Sequence, residues 1–124
     1  MNNPEVTMHN RQQSTRFDAL EKATAAAGTA ISLVMRVPAP LKPIADQVIR
    51  SASSVPANLA EGAGRSGRDR THHFRIAYGS AKEVDTHLRL LIGVGAVEGA
   101  RAEASLNLFD DVRAMTWRLL HPKP

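Results

Sequence analysis

The chain contains no cysteine, and only 4% of its residues are aromatic. The absence of cysteine excludes disulfides, thiolate nucleophiles and cysteine-ligated metals. The shortage of aromatics means that any core consists mainly of alanine, leucine, valine and isoleucine, and alanine is the strongest helix former. A chain of 124 residues fits one domain.

Long apolar runs are also missing. No stretch approaches the ~20 apolar residues that a membrane helix needs, and the polar segment Met1–Gln13 lacks the apolar run of a signal peptide. We therefore expect a cytoplasmic protein. No segment alternates between apolar and polar residues with period two, so we expect no β-sheet.

Apolar residues recur instead in steps of three and four over four segments, which proline and glycine separate. The pattern predicts an all-α, up-down-up-down antiparallel four-helix bundle over residues 15–124, after a mobile polar tail over residues 1–14. The predicted core stripes are Phe17, Leu20, Thr24, Ala27, Ile31 and Val34; Leu41, Ile44, Val48, Ala52, Val55 and Leu59; Phe74, Ala77, Ala81, Val84, Leu88 and Leu91; and Leu106, Phe109, Val112, Met115, Leu119 and Leu120.

The boundaries of the predicted helices follow from the prolines and glycines that end helices. The first helix is predicted from about residue 15 to 36, the second from about 41 to 63, the third through Phe74–Leu91 to the glycines from Gly93 onward, and the fourth from about 100 to 120. Gly64 or Gly67 is expected to take the left-handed conformation that ends the second helix.

Pro56 lies inside the second predicted helix, where it removes the donor for the carbonyl of Ala52. We predict a kinked but continuous helix. The alternative is two shorter helices that meet at Ser53–Ser54.

Apolar residues also lie outside the core stripes, for example Ile76, Leu90 and Ile49. Surplus apolar surface on a small domain is typical of an interface, so self-association is expected. The alternative is that helix termini and the tail cover these residues.

The formal net charge is +4, and most of the 16 basic residues are arginines. Arginine forms bidentate contacts with phosphate, although a GC-rich genome also encodes arginine wherever a positive charge is needed. Four basic residues, which we call the basic line, recur every seven residues along the third helix, with Arg65 and Arg70 near its start. The basic line consists of Arg68, Arg75, Lys82 and Arg89.

The basic line has two interpretations. It is either a surface that attracts nucleic-acid phosphates or a solvated face with local ion pairs, since Asp85 lies within reach of Lys82 and Arg89. Arg68 and Arg75 have no acidic residue three or four positions away. They are therefore the strongest candidates for binding a partner.

Two segments carry a family resemblance: residues 53–65 read SSVPANLAEGAGR, and residues 74–86 read FRIAYGSAKEVDT. They resemble the motifs S-x-P-x-N-I-A-E-G-x-G-R and F-x-R-I-A-x-G-S-x-x-E-x-x-T of bacterial four-helix bundle proteins, the 23S rRNA-intervening-sequence proteins. The resemblance covers about residues 17–120. It implies a left-handed bundle and a ring-shaped homo-oligomer, a pentamer. It also implies kinship with accessory variability proteins of diversity-generating retroelements, which bind a reverse transcriptase and nucleic acid.

The first motif contributes a structural signature of Pro56, Asn58, Glu61 and Gly62. Asn58 and Glu61 share one side of a helix, and Glu61 precedes Arg65 by four residues, the favourable order for an ion pair. We predict that these residues connect the second helix to the third and to a neighbouring subunit. The alternative is a ligand site or active site built on Asn58 and Glu61.

Residue patterns for catalysis are absent from the sequence. His72 and His73 are adjacent and diverge on a helix, the Gly62–Gly67 region lacks the lysine of a phosphate loop, and no Gly-x-Ser-x-Gly occurs. We expect no enzyme, no cofactor and no metal site.

The main functional hypothesis is a non-enzymatic homo-oligomer that serves as a nucleic-acid or ribonucleoprotein accessory factor. Its expected partners are further copies of itself, RNA or DNA, and a protein such as a reverse transcriptase, with no membrane. The alternative is a structural or protein-interaction module that binds no nucleic acid. A small-molecule enzyme would require a concave pocket near Asn58 and Glu61.

Overall fold

A computed structural model of the chain describes residues 4–123, with the side chains of residues 15–123. These residues form α1 (Pro4–Val34), a 3-10 turn (Ala39–Leu41), α2 (Lys42–Ala63), α3 (Gly67–Gly93) and α4 (Gly99–Leu120), without a strand among them. Helices α1 and α3 each pack against both α2 and α4. Because the connections are short, consecutive helices are antiparallel. The predicted all-α four-helix bundle is confirmed.

The first helix is the element that differs most from its prediction. α1 begins at Pro4, so the predicted start near Thr15 is wrong. Its predicted core stripe is also wrong in part, because Phe17 is 66% exposed and Thr24 is exposed. The residues of α1 that enter the core are Ala19, Ala23, Ala26, Ala27, Ala30 and Val34.

The predicted tail over residues 1–14 lies wholly outside the described side chains. Residues 1–3 are outside the described residues altogether, and for residues 4–14 only the helical backbone is described. The division of the chain into a mobile tail and a bundle domain at residue 14 stays a prediction.

The core stripe of α3 agrees with the sequence pattern, since all six predicted residues from Phe74 to Leu91 are buried. On α2 the predicted Val48, Ala52, Val55 and Leu59 are buried, whereas Ile44 is partly exposed and Leu41 is partly exposed in the 3-10 turn. On α4 only Phe109 and Val112 of the predicted stripe are buried, and the others are partly exposed. The rest of the buried face of α4 consists of Ala102, Ser105 and Thr116.

The buried hydroxyls of α4 are satisfied by hydrogen bonds. Thr116 Oγ1 donates to the carbonyl of Val112 at 2.7 Å. Ser105 Oγ accepts a hydrogen bond at 3.0 Å from Thr29 Oγ1 of α1. Buried polar groups with partners cost little, so small polar residues replace aliphatic ones at the α1–α4 contact.

Helix α2 is continuous through Pro56, as predicted, and the alternative of two shorter helices is wrong. The kink itself stays a prediction. The prediction that Gly64 or Gly67 ends α2 in the left-handed conformation is wrong. Gly64 caps α2 but has φ −83°, and Gly67 has φ +60° but is the first residue of α3. A second left-handed residue, Gly95 with φ +78°, follows the end of α3. The N–H of Gly95 donates to the carbonyl of Ile92, and the N–H of Ala96 donates to the carbonyl of Leu91. This hydrogen-bond pair is a Schellman motif.

Candidate nucleic-acid interface

The end of α2 and the start of α3 are held together by a close approach. Gly62, one residue before the end of α2, is buried and faces the ring of Phe74 with no space for a side chain between them. The three-residue connection 64–66 then leads directly into α3. This contact places the arginines of the connection and of the first turns of α3 at one end of the bundle.

A polar network lies one turn further along the same α2–α3 contact. Asn58 Nδ2 donates to the carbonyl and to the hydroxyl of Ser54, at 2.9 and 3.0 Å. The amide oxygen therefore faces His73 of α3, whose Nδ1–H donates to it at 3.0 Å. Ser80 of α3 donates to Ser54 Oγ at 2.9 Å. Asn58 thus connects the two helices by hydrogen bonds within this chain.

Glu61, the other polar member of the signature, points to the surface. Its carboxylate pairs with Arg65 at 3.4 Å, as its spacing predicted, and both side chains are about half exposed. The two line an open depression of about 450 Å³ with Ala57, Ala60 and Gly64. Asn58 is not among its lining residues, so the structure does not bring Asn58 and Glu61 together into one pocket.

Two of the predicted binding residues are engaged within the chain. Arg65 also lies 4.0 Å from Asp69, in addition to its pair with Glu61. Arg70 is partly buried, and its Nε donates to the backbone carbonyl of Arg65 at 2.8 Å. Arg70 therefore fixes the α2–α3 connection, and its guanidinium is less available than that of an exposed arginine.

Arg68 and Arg75 are the two predicted residues that remain available. Both are exposed, and neither forms an ion pair or a side-chain hydrogen bond with any described residue. They lie two helical turns apart along α3, about 10 Å at 1.5 Å per residue. Both guanidinium groups can therefore contact one extended anion from the same side.

The second half of the basic line is partly neutralised. Arg89 Nε donates to Asp85 Oδ1 at 2.7 Å, and this hydrogen bond raises the pKa of Arg89. Lys82 does not pair with Asp85. Its Nζ lies 5.8 Å from the ring centroid of Tyr78, within cation–π distance.

Asp85 has a second partner that sequence spacing did not reveal. Its Oδ2 is buried without a hydrogen-bond donor among the described residues, and Arg113 Nη2 of α4 lies 3.8 Å from it. Arg113 also pairs with Asp110 on its own helix. The spacing of residues along the sequence could not predict the contact between Asp85 and Arg113, because the register between α3 and α4 depends on how the helices pack.

Positive charge concentrates at the end of the bundle that carries Arg68. Arg16 of α1 lies near Arg70. Its pKa is lowered mainly by burial and also by the positive charge of Arg70. By the antiparallel topology, the last turn of α4 lies at the same end. Seven basic and three acidic residues lie in the segments 15–18, 61–75 and 118–123. Their net charge of +4 equals the formal net charge of the whole chain.

An aromatic pair on α4 is a further feature that the sequence analysis did not identify as functional. Trp117 is 50% exposed and stacks on His121, with ring centroids 4.2 Å apart. The backbone N–H and the Nδ1–H of His121 both donate to the carbonyl of Trp117, at 2.9 Å each. The sequence could have predicted this pair, because an aromatic residue and a histidine four positions apart at a helix end lie on the same side of the helix.

The described residues contain neither a metal-binding cluster nor a membrane-spanning helix. Among the described residues, no three histidine, aspartate or glutamate side chains come together in a way that could hold a metal ion. Across the same part of the chain, no helix combines the length and the apolar character needed to cross a membrane.

Comparisons with known proteins agree with this architecture. A protein of unknown function from the S23 ribosomal protein family of Bacteroides thetaiotaomicron has a similar crystal structure, with a TM-score of 0.78 and 21% identity. The match covers 86% of this chain and 98% of that one and supports the fold alone. No curated protein is significantly similar in sequence. Residues 16–118 match the family described as 23S rRNA-intervening sequence protein. The chain therefore belongs to the 23S rRNA-intervening sequence protein family.

Proposed function

We propose that this chain is a non-enzymatic accessory protein that binds the phosphate backbone of RNA or DNA through the basic end of its bundle. The observation that carries the proposal is the pair Arg68 and Arg75, which are exposed, aligned on α3 and without an ion pair among the described residues. Arginine suits phosphate because its planar guanidinium donates two parallel hydrogen bonds.

The contribution of each predicted residue differs. Arg68 and Arg75 contact phosphate directly in this proposal, and Lys82 extends the surface along α3. Arg70, which is held by the Arg65 carbonyl, adds to the positive potential, whereas Arg65 and Arg89 add less because the carboxylates of Glu61 and Asp85 partly neutralise them. Such a potential attracts phosphates at long range and depends on ionic strength.

Self-association is part of the proposal, since several copies would multiply a surface that is small on one subunit. Large apolar residues outside the core support it: Ile76 is 37% exposed, Leu90 47% and Met35 70%. We expect a closed homo-oligomer, with five subunits as the family resemblance implies. Light scattering coupled to size-exclusion chromatography measures the number of subunits.

The proposal is tested by binding of a labelled RNA and a labelled DNA at low salt. The double variant Arg68→Glu, Arg75→Glu should lose most of the affinity of the unaltered protein. The matched control is Arg36→Glu, Arg101→Glu, which makes the same change of charge at exposed positions of the opposite end. Equal loss in both double variants, or no binding by the unaltered protein, would contradict the proposal.

The second candidate function is a protein-interaction module without nucleic acid. It is favoured by the same exposed apolar residues on α3, Ile76 and Leu90, which would then contact a different protein. Affinity capture from the native cell, with and without nuclease, separates the two candidates. A stoichiometric protein partner that stays bound after nuclease treatment, together with no affinity for RNA or DNA, favours the module.

A further inference from the structure

We infer that the surface along the contact between α3 and α4, which we call the groove, binds unpaired, single-stranded nucleic acid, with a base stacked on Trp117. The inference rests on the proposed function and specifies its ligand. It adds a base-stacking platform to the phosphate contacts, and a platform of that kind distinguishes single strands from duplexes, whose bases are already stacked.

The position of the groove follows from the contact between Asp85 and Arg113, which fixes the register of α3 against α4. Trp117 follows Arg113 by one helical turn. Because the two helices are antiparallel, one turn back along α3 from Asp85 leads to Lys82 at the level of Trp117, and a second turn leads to Tyr78 at the level of His121. The indole on α4 and the basic–aromatic pair on α3 therefore lie at neighbouring levels beside one groove.

Basic and aromatic side chains both lie beside the groove. On α3, Arg75 is exposed without an ion pair among the described residues, and Lys82 covers Tyr78 at 5.8 Å. On α4, Trp117 stacks on His121. Positive groups that follow the backbone, combined with aromatic faces for bases, are the combination typical of single-strand binding.

The stacking platform is held in place before any ligand binds. His121 is fixed to the end of α4, since its Nδ1–H and its backbone N–H both donate to the carbonyl of Trp117. Its ring lies at 26° to the indole and covers one side of it. Half of the Trp117 surface remains exposed, which leaves room for a base. Preorganisation of this kind lowers the entropic cost of binding.

Trp117 is the only tryptophan of the chain, so its intrinsic fluorescence reports directly on this groove. The experiment titrates the full chain at one low salt concentration with an oligothymidylate strand and with a mixed-sequence duplex of equal length. The single strand is expected to quench the emission and to bind more tightly than the duplex. An unchanged emission during single-strand binding would overturn the inference.

Variants provide an independent measurement. Removal of one stacked base contact costs about 1–3 kcal/mol, so Trp117→Ala is expected to weaken single-strand binding by roughly 5- to 150-fold. Duplex binding should stay unchanged, and Trp117→Phe should retain most of the single-strand affinity. Val94→Ala is the matched control, because Val94 is a similarly exposed apolar residue that caps the C-terminal end of α3, at the opposite end of the bundle, and should have no effect.

The remaining outcomes separate this inference from the proposed function. Equal binding of single strand and duplex, with no effect of Trp117→Ala, would overturn the inference and leave the proposed phosphate surface intact. No binding of either probe would overturn both. A change of subunit number in Trp117→Ala, measured by light scattering, would assign Trp117 to a contact between copies of the chain and would also overturn the inference.

Discussion

Gly62 of α2 and Phe74 of α3 are in such close contact that a Cβ added to the glycine would lie 2.6 Å from Cε1 of the ring. The same Cβ would lie 3.2 Å from the carbonyl oxygen of Arg70. Since Phe74 is almost fully buried, the ring has little freedom to move away. The glycine of the family motif thus sets the distance between two helices beside the connection that carries the arginines.

Gly62→Ala is expected to destabilise the bundle, because overpacking a filled contact costs about 1–3 kcal/mol. Gly28→Ala is the matched control: Gly28 is also inside a helix, and a Cβ there meets nothing within 4 Å. Both changes gain the same helix propensity, so the difference between them isolates the steric cost. Urea denaturation measures both variants, and equal stabilities would contradict the account of this contact.

Asn58→Ala removes the hydrogen bonds that connect Ser54 of α2 to His73 of α3. The partners are partly buried, so we expect a loss of about 1–3 kcal/mol in the free energy of unfolding. Asn107→Ala on the exposed face of α4 makes the same chemical change, without a side-chain hydrogen bond among the described residues, and should stay within about 0.5 kcal/mol. Similar losses in the two variants would show that the network does not stabilise the contact.

Asp85→Ala is expected to cost more than Asp111→Ala, although each carboxylate pairs with a basic side chain. The Asp85 side chain is only 13% exposed and has two arginine partners, whereas the Asp111–Lys22 pair at 3.4 Å is exposed on both sides. We expect about 1–3 kcal/mol for Asp85 and at most about 1 kcal/mol for Asp111. Thermal unfolding compares them, and the reverse order would contradict the register that we assign to α3 and α4.

The sequence was sufficient to predict the helices and the core of α3, because its apolar residues are large and strictly spaced. On α1 the pattern was ambiguous, since alanines occur at neighbouring positions and the large residue Phe17 is exposed. Alanine fits either the core or the surface of a helix, so only packing decides which alanines are buried. The predicted stripe therefore includes Phe17 and Thr24, whereas Ala19 and Ala23 are the residues that lie in the core.

Interactions within one helix were easier to predict than those between helices. The pairs Glu61–Arg65 and Asp85–Arg89 follow from i, i+4 spacing and are present. The contact between Asp85 and Arg113 depends on the register of two helices, which no local pattern contains. The exposure of Arg68 and Arg75 was predictable from their position beside the core stripe, whereas their role in binding stays a prediction.

The central claim is that Arg68 and Arg75 bind phosphates, and the salt dependence of RNA binding tests it most directly. Each phosphate contact on a single strand contributes ~0.7 to the slope of log affinity against log salt. The double variant Arg68→Gln, Arg75→Gln should therefore have a slope shallower by about 1.4 than that of the unaltered protein. An unchanged slope in this double variant would contradict the account, because it would show that neither guanidinium releases counterions on binding.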